Sequence, residues 1–136
     1  NGRVTVPAYR DAEHPDGALT PGGPRNYTNA SSWYGAVNAR TAIGVSRDGR
    51  TLTLFTVDAR GGSEGMTVGE AAVWLVAKHG VWNALNLDGG GSTSMALADP
   101  ATGAVSLVNT SSDNPAGRSV ASSLAIYAHA VPRLRR

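Results

Sequence analysis

The chain contains no cysteine. That excludes structural disulfides, iron–sulfur clusters, thiolate zinc sites and a cysteine nucleophile. Charged residues make up only 16% and aromatics 6% of the sequence, and lysine occurs once, at Lys78. So little charge argues against a charge-driven tail or a coiled coil. No stretch of basic residues interleaved with aromatics suggests a nucleic-acid surface. No apolar run reaches the roughly 18 residues needed to span a bilayer. The sequence pI of about 9.4 points to no acidic partner, because Arg133, Arg135 and Arg136 supply it from the C-terminal tail. Removing those three from twelve basic residues leaves nine against ten acidic ones, so the body is close to neutral.

The 136 residues fit one domain, and a chain of this size can bury about two-thirds of its unfolded surface. Hydrophobic residues at 41% argue against wholesale disorder. Seventeen glycines and seven prolines predict many turns and short elements. The chain begins at Asn1 with no leader before it, so it is expected to be a processed product or part of something longer.

Residues 1–36 carry little pattern beyond a short strand expected at Val4-Thr5-Val6; Pro7, Pro15, Pro21 and Pro24 make this an irregular segment, read as a lid or the remnant of a longer domain. The patterned body covers 37–130, and 131–136 form a basic tail. A strand at Thr41–Val45, a turn at Asp48-Gly49 and a strand at Thr51–Asp58 predict a hairpin. The period then changes. Val68, Ala71, Ala72, Leu75, Val76 and His79 fall on one face of a helix; Thr67 and Glu70 form a capping box before it and Gly80 ends it. Strands are expected at Val81–Leu87, Ser94–Leu97, Val105–Val108 and from Val120 to Ala128. The predicted class is α+β, a largely antiparallel sheet with one main amphipathic helix packed on it.

The densest chemistry lies at Asp88-Gly89-Gly90-Gly91-Ser92-Thr93, where an apolar strand delivers an acid, three glycines and two hydroxyls. Consecutive glycines let backbone N–H groups approach one ligand oxygen together, and Ser92 and Thr93 add donors. The alternative is a tight inter-strand turn. No lysine follows the glycines, which excludes a P-loop, and the spacing fits neither a dinucleotide fingerprint nor a complete nucleophile elbow. His14, His79 and His129 lie too far apart for a metal motif. Asp58 and Asp88 each end a strand and would share a sheet edge if those strands were neighbours. Glu70 is either a cap or a functional acid. Arg40, Arg60 and Arg118 stand beside strand ends, where a guanidinium can grip a phosphate in bidentate fashion.

Four ordered blocks resemble the phosphodiester glycosidase domain family: Arg40-Thr41-Ala42-Ile43-Gly44, Val57-Asp58-Ala59-Arg60, Gly65-Met66-Thr67 leading to Glu70, and Ala84 to Ser92. Asn114-Pro115-Ala116-Gly117-Arg118-Ser119-Val120 resembles the family's arginine-containing segment before its last strand. The resemblance covers about 37–128, with Asp58-Ala59-Arg60 standing where the family often has Asp-Gly-Arg. It implies a secreted or cell-envelope hydrolase that cleaves a sugar-1-phosphodiester or related linkage, with a non-catalytic glycan-binding module as the alternative. On that reading Asp88 acts as nucleophile or base with Asp58 or Glu70 as partner. Arg40 and Arg118 hold the phosphate, and Thr41, Arg60, Gly89, Gly90, Gly91, Ser92 and Thr93 complete the substrate site. No cofactor is required, although Asp58 and Asp88 together could hold calcium. The family's domain extends further toward the N-terminus, so the chain is expected to be an incomplete domain or one completed by a second chain.

Overall fold

A computed structural model describes residues 1–6 and 35–128. Strands β1 (Arg40–Ser46) and β2 (Leu52–Val57) form the expected hairpin, in register from Arg40↔Val57 to Val45↔Leu52. Its turn is fixed by Asp48, whose Oδ1 accepts from the Ser46 hydroxyl at 2.6 Å and the Arg50 N–H at 3.1 Å. Strand β3 (Val81–Asn86) pairs antiparallel with the other side of β1, from Ala42↔Asn86 to a register shift at Val45/Ser46. The sheet order is therefore β2-β1-β3.

Helix α1 (Val68–His79) starts where the sequence places it. The Thr67 hydroxyl accepts from the Glu70 N–H at 3.1 Å, and Glu70 Oε2 accepts from the Thr67 N–H at 2.8 Å. Two donors left without helical partners are thereby satisfied. Gly80 takes a left-handed conformation at φ 61° and donates to the Leu75 carbonyl, ending the helix. Of the predicted apolar face, Val68, Ala71 and Leu75 are buried. Leu75 meets Ala42 of β1 and Val81 of β3, with Phe55 of β2 against the cluster. This small core fastens the helix to the sheet, and burying Leu75 alone contributes about 2 kcal/mol.

After β3 come a single 3-10 turn at Gly90–Ser92 and a separate hairpin of β4 (Ala96–Ala98) and β5 (Val105–Leu107). The architecture is α+β with antiparallel sheets and one helix packed on the larger of them. Two expected strands are not formed. Residues 4–6 and 120–128 belong to no strand, although Val120, Leu124 and Ile126 have strand-forming side chains. A strand needs a partner ladder to satisfy its backbone, and among the described residues neither segment has one. The N-terminus is instead tied to β3 through the Gly2 N–H and Trp82 carbonyl at 2.7 Å. The lid or remnant assigned to 1–36 and the 131–136 tail lie largely or wholly outside the described residues.

Because β1 is antiparallel to both neighbours, the C-terminal ends of β2 and β3 and the N-terminal end of β1 lie at one end of the sheet. This is the end that carries Asp58, Asp88 and Arg40. The strands that deliver the two aspartates are not neighbours, since β1 runs between them.

Candidate functional site

At that end a cavity of about 990 Å³ is lined by Arg40, Asp88, Gly89, Gly90, Gly91, Asp113 and Arg118, together with Asn38 and Asn86. Arg40 is its most unusual component. The residue is only 3% exposed. Its Nε donates to the Met66 carbonyl at 2.8 Å, and one terminal nitrogen donates to the Ala36 carbonyl. The loop before α1 supplies this pocket by pairing with residue 38: Asn38 N–H to Met66 carbonyl at 3.2 Å, and the reverse bond at 2.9 Å. Gly65 is needed there, because a Cβ would sit 2.4 Å from the Asn38 carbonyl oxygen. No ion pair with a carboxylate balances the guanidinium among the described residues. Burial lowers its pKa from the usual arginine value, but arginine remains charged. A buried cation whose partners among the described residues are carbonyls favours an anion in the space beside it.

Asp88 is exposed at the end of β3 and lines the same cavity, with its Oδ1 accepting the Gly89 N–H at 2.9 Å. The three glycines have distinct reasons. A Cβ on Gly89 would lie 2.7 Å from the Ala39 carbonyl oxygen, Gly90 has φ 58°, and a Cβ on Gly91 would lie 1.9 Å from an Asp113 carboxylate oxygen. The bend is not the open nest of N–H donors that its sequence suggests. Gly90 N–H donates to the Ala39 carbonyl at 2.9 Å, Ser92 N–H to Gly89 at 3.2 Å and Thr93 N–H to Gly90 at 3.0 Å. The bend is thus stitched to Ala39, the residue before β1, and to itself, leaving Gly91 as its one N–H without a partner among the described residues.

The other predicted residues divide clearly. Arg118 reaches the cavity, donating to Asp113 Oδ2 at 2.6 Å and to the Ser92 hydroxyl at 2.7 Å. Thr93 is wholly buried and its hydroxyl lies 3.4 Å from that of Thr41, so this pair supports the bend from beneath. Asp58 does not line the cavity. Its Oδ1 accepts from the Asn109 amide at 2.8 Å and its Oδ2 from the Thr110 N–H at 2.7 Å, bracing the end of β2 against the segment after β5. Glu70 serves the capping box and faces a different groove, of about 700 Å³, along α1. Arg60 is exposed and stands apart from the cavity. Sequence reasoning misses Asp113, an acid in a loop of serines and asparagines, and Asn109, which also holds the Met95 N–H at 2.6 Å. Among the described residues no three acids or histidines gather to hold a metal ion, and no helix is long and apolar enough to cross a membrane.

One cavity thus brings together a buried guanidinium with no ion-paired carboxylate among the described residues, an acid at a strand end and a glycine bend. The family model for phosphodiester glycosidase matches residues 14–127, and the chain belongs to this family. Among curated proteins it is similar to human N-acetylglucosamine-1-phosphodiester alpha-N-acetylglucosaminidase, 43% identical over 67 residues, which is 49% of this chain and 13% of that protein. The mouse enzyme of the same name is 40% identical over 67 residues, again 49% of this chain and 13% of that protein. The bovine one is 44% identical over 61 residues, 45% of this chain and 11% of that protein. The chain therefore matches only about an eighth of the length of these relatives.

Proposed function

We propose that this protein hydrolyses a sugar-1-phosphodiester, or a related glycosidic linkage, in a glycan or envelope polysaccharide outside the cytoplasm. The observation that carries the reading is the shared cavity, where Arg40 presents a buried positive charge and Asp88 an exposed carboxylate. The names of the mammalian relatives describe a substrate with both features this pair would recognise, a sugar and a phosphate.

The chemistry follows from the leaving group. When the bond between the anomeric carbon and the phosphate oxygen breaks, the electron pair stays on a phosphate that is already a stable anion. Proton donation to the leaving oxygen therefore matters less than in an ordinary glycoside. The site must neutralise phosphate charge and stabilise an oxocarbenium-like sugar. Arg40 performs the first task, with Arg118 at the cavity mouth and the Gly91 N–H as a further donor. Asp88 performs the second, as nucleophile or as the base that takes a proton from the attacking water. Asp58 and Thr93 hold the framework. No step calls for a cofactor; calcium at Asp58 would have to share a carboxylate whose two oxygens already accept hydrogen bonds.

Release of free sugar from a synthetic sugar-1-phosphodiester tests this reading, with Asp88→Asn as the control that folds but does not turn over. A second reading, a non-catalytic glycan-binding module, is favoured by one observation: Glu70 and Asp58 are both engaged in structural hydrogen bonds, leaving Asp88 as the one predicted acid on the cavity. Binding of the diester without sugar release would support it. A second chain completing the domain is consistent with the position of β2 at the edge of the sheet, where no further strand pairs with it among the described residues. Size-exclusion chromatography against the candidate partner chain tests that part.

A further inference from the structure

Asp113 is the acid that the cavity contains and the family blocks quoted above do not. Its carboxylate lies flat against the backbone of Gly91: a Cβ on that glycine would come within 1.9, 2.0 and 2.4 Å of the three carboxylate atoms. From there Oδ2 accepts from Arg118 Nη1 at 2.6 Å, while the other terminal nitrogen of Arg118 donates to the Ser92 hydroxyl at 2.7 Å. The arginine is thus held at both ends of its fork, by one residue from the glycine bend and by one that the bend makes room for. Both Asp113 and Arg118 line the same cavity as Arg40 and Asp88. An isolated surface ion pair whose partners are 47% and 49% exposed would contribute little. Two features set this pair apart: a side chain at residue 91 would evict the carboxylate, and the guanidinium is shared with a residue of the bend.

We infer that Asp113 is a positioning residue: it fixes the Arg118 guanidinium at the cavity mouth so that the arginine's remaining donors meet the phosphate of a bound sugar phosphate. The inference deepens the reading above, since it names how that site recognises the phosphate end of its ligand. Arg118 then does not have to be ordered when the ligand arrives, which is the entropic cost that preorganisation removes. Asp113 itself touches Arg118 and the bend, not the reacting atoms.

The test is calorimetric binding of N-acetylglucosamine 1-phosphate, and of N-acetylglucosamine as the uncharged control, to the wild type, Asp113→Asn and Gly91→Ala. Turnover of a sugar-1-phosphodiester is measured in parallel. Asp113→Asn should weaken the sugar phosphate about fivefold and leave the uncharged sugar unchanged. In turnover it should raise KM with little change in kcat. Gly91→Ala should do the same without touching either charge. Equal or tighter binding of the sugar phosphate by Asp113→Asn would overturn the inference, since the carboxylate would then be competing with the ligand for Arg118. Equal loss for the charged and uncharged ligands would also overturn it, as a structural effect. If the sugar phosphate binds in this pattern but the wild type releases no sugar, Asp113 keeps its positioning role and the hydrolytic reading fails. If the wild type binds no sugar phosphate, both fail.

Discussion

Asp58 and Asp88 stand at the same end of one sheet, yet the proposed reading gives them opposite jobs, and Asp58→Ala tests the difference. The Asp58 carboxylate accepts two short bonds, from the Asn109 amide at 2.8 Å and the Thr110 N–H at 2.7 Å. A hydrogen bond to a charged group contributes about 1.5–3 kcal/mol net, and the low end applies because the site is half-buried. Removing both should cost about 3 kcal/mol, a large fraction of the roughly 5–15 kcal/mol typical of a domain. Urea denaturation followed by circular dichroism reads this directly, as a lower midpoint at unchanged slope. Asp58→Asn keeps one acceptor but turns an amide donor toward the other partner, so it should lie between the wild type and the alanine variant. Asp88→Ala should leave the midpoint within about 0.5 kcal/mol of wild type, as expected of an exposed residue. A loss below about 0.5 kcal/mol for Asp58→Ala, with turnover abolished, would refute the reasoning and make Asp58 a catalytic acid.

Other outcomes follow from single contacts. Gly89→Ala brings a Cβ to 2.7 Å from a backbone oxygen that cannot swing aside, so it should cost about 1–3 kcal/mol, whereas Gly91→Ala meets a half-exposed side chain that can turn to another rotamer at the expense of its bond to Arg118, and should cost less in the same urea assay. Leu75→Ala removes the side chain that joins α1 to β1 and β3, and should cost about 2–4 kcal/mol. Acid should weaken the start of α1. Hydrogen bonds from the Thr67 N–H and then the Thr67 hydroxyl lower the Glu70 pKa from its ordinary 4.5, so its contribution is present above that value and is lost as pH falls through the lower folded-state value. The thermal midpoint of Glu70→Gln should accordingly depend less on pH below about 4.5 than that of the wild type.

Much of the frame is legible in the residues because it is local. The Asp48-Gly49 turn, the Thr67/Glu70 cap, the apolar face through Leu75 and the Gly80 stop each need only a few neighbouring positions to recognise. What escapes the sequence depends on contacts across the chain. The segment 120–128 has the side chains of a strand, but a strand exists only where another offers a ladder. The glycine bend looks like a ring of free donors until its register on β1 shows Gly90 bonded to Ala39. Asp58 and Glu70 read from the sequence only as acids at element ends, and their partners, Asn109, Thr110 and Thr67, appear only in the fold. Asp113 becomes visible once Gly91 is seen to make room for it. Arg40 is legible as an arginine at the start of β1, while its burial, with no ion-paired acid among the described residues, is knowable only from the fold.

The most direct trial of the account is single-turnover release of sugar from a sugar-1-phosphodiester by the wild type, Asp88→Asn and Arg40→Met at matched folded concentration. The account predicts sugar release by the wild type, none by Asp88→Asn despite retained ligand binding, and loss of phosphate-dependent binding in Arg40→Met. Turnover by Asp88→Asn at the wild-type rate, or undiminished binding of the diester by Arg40→Met, would contradict it.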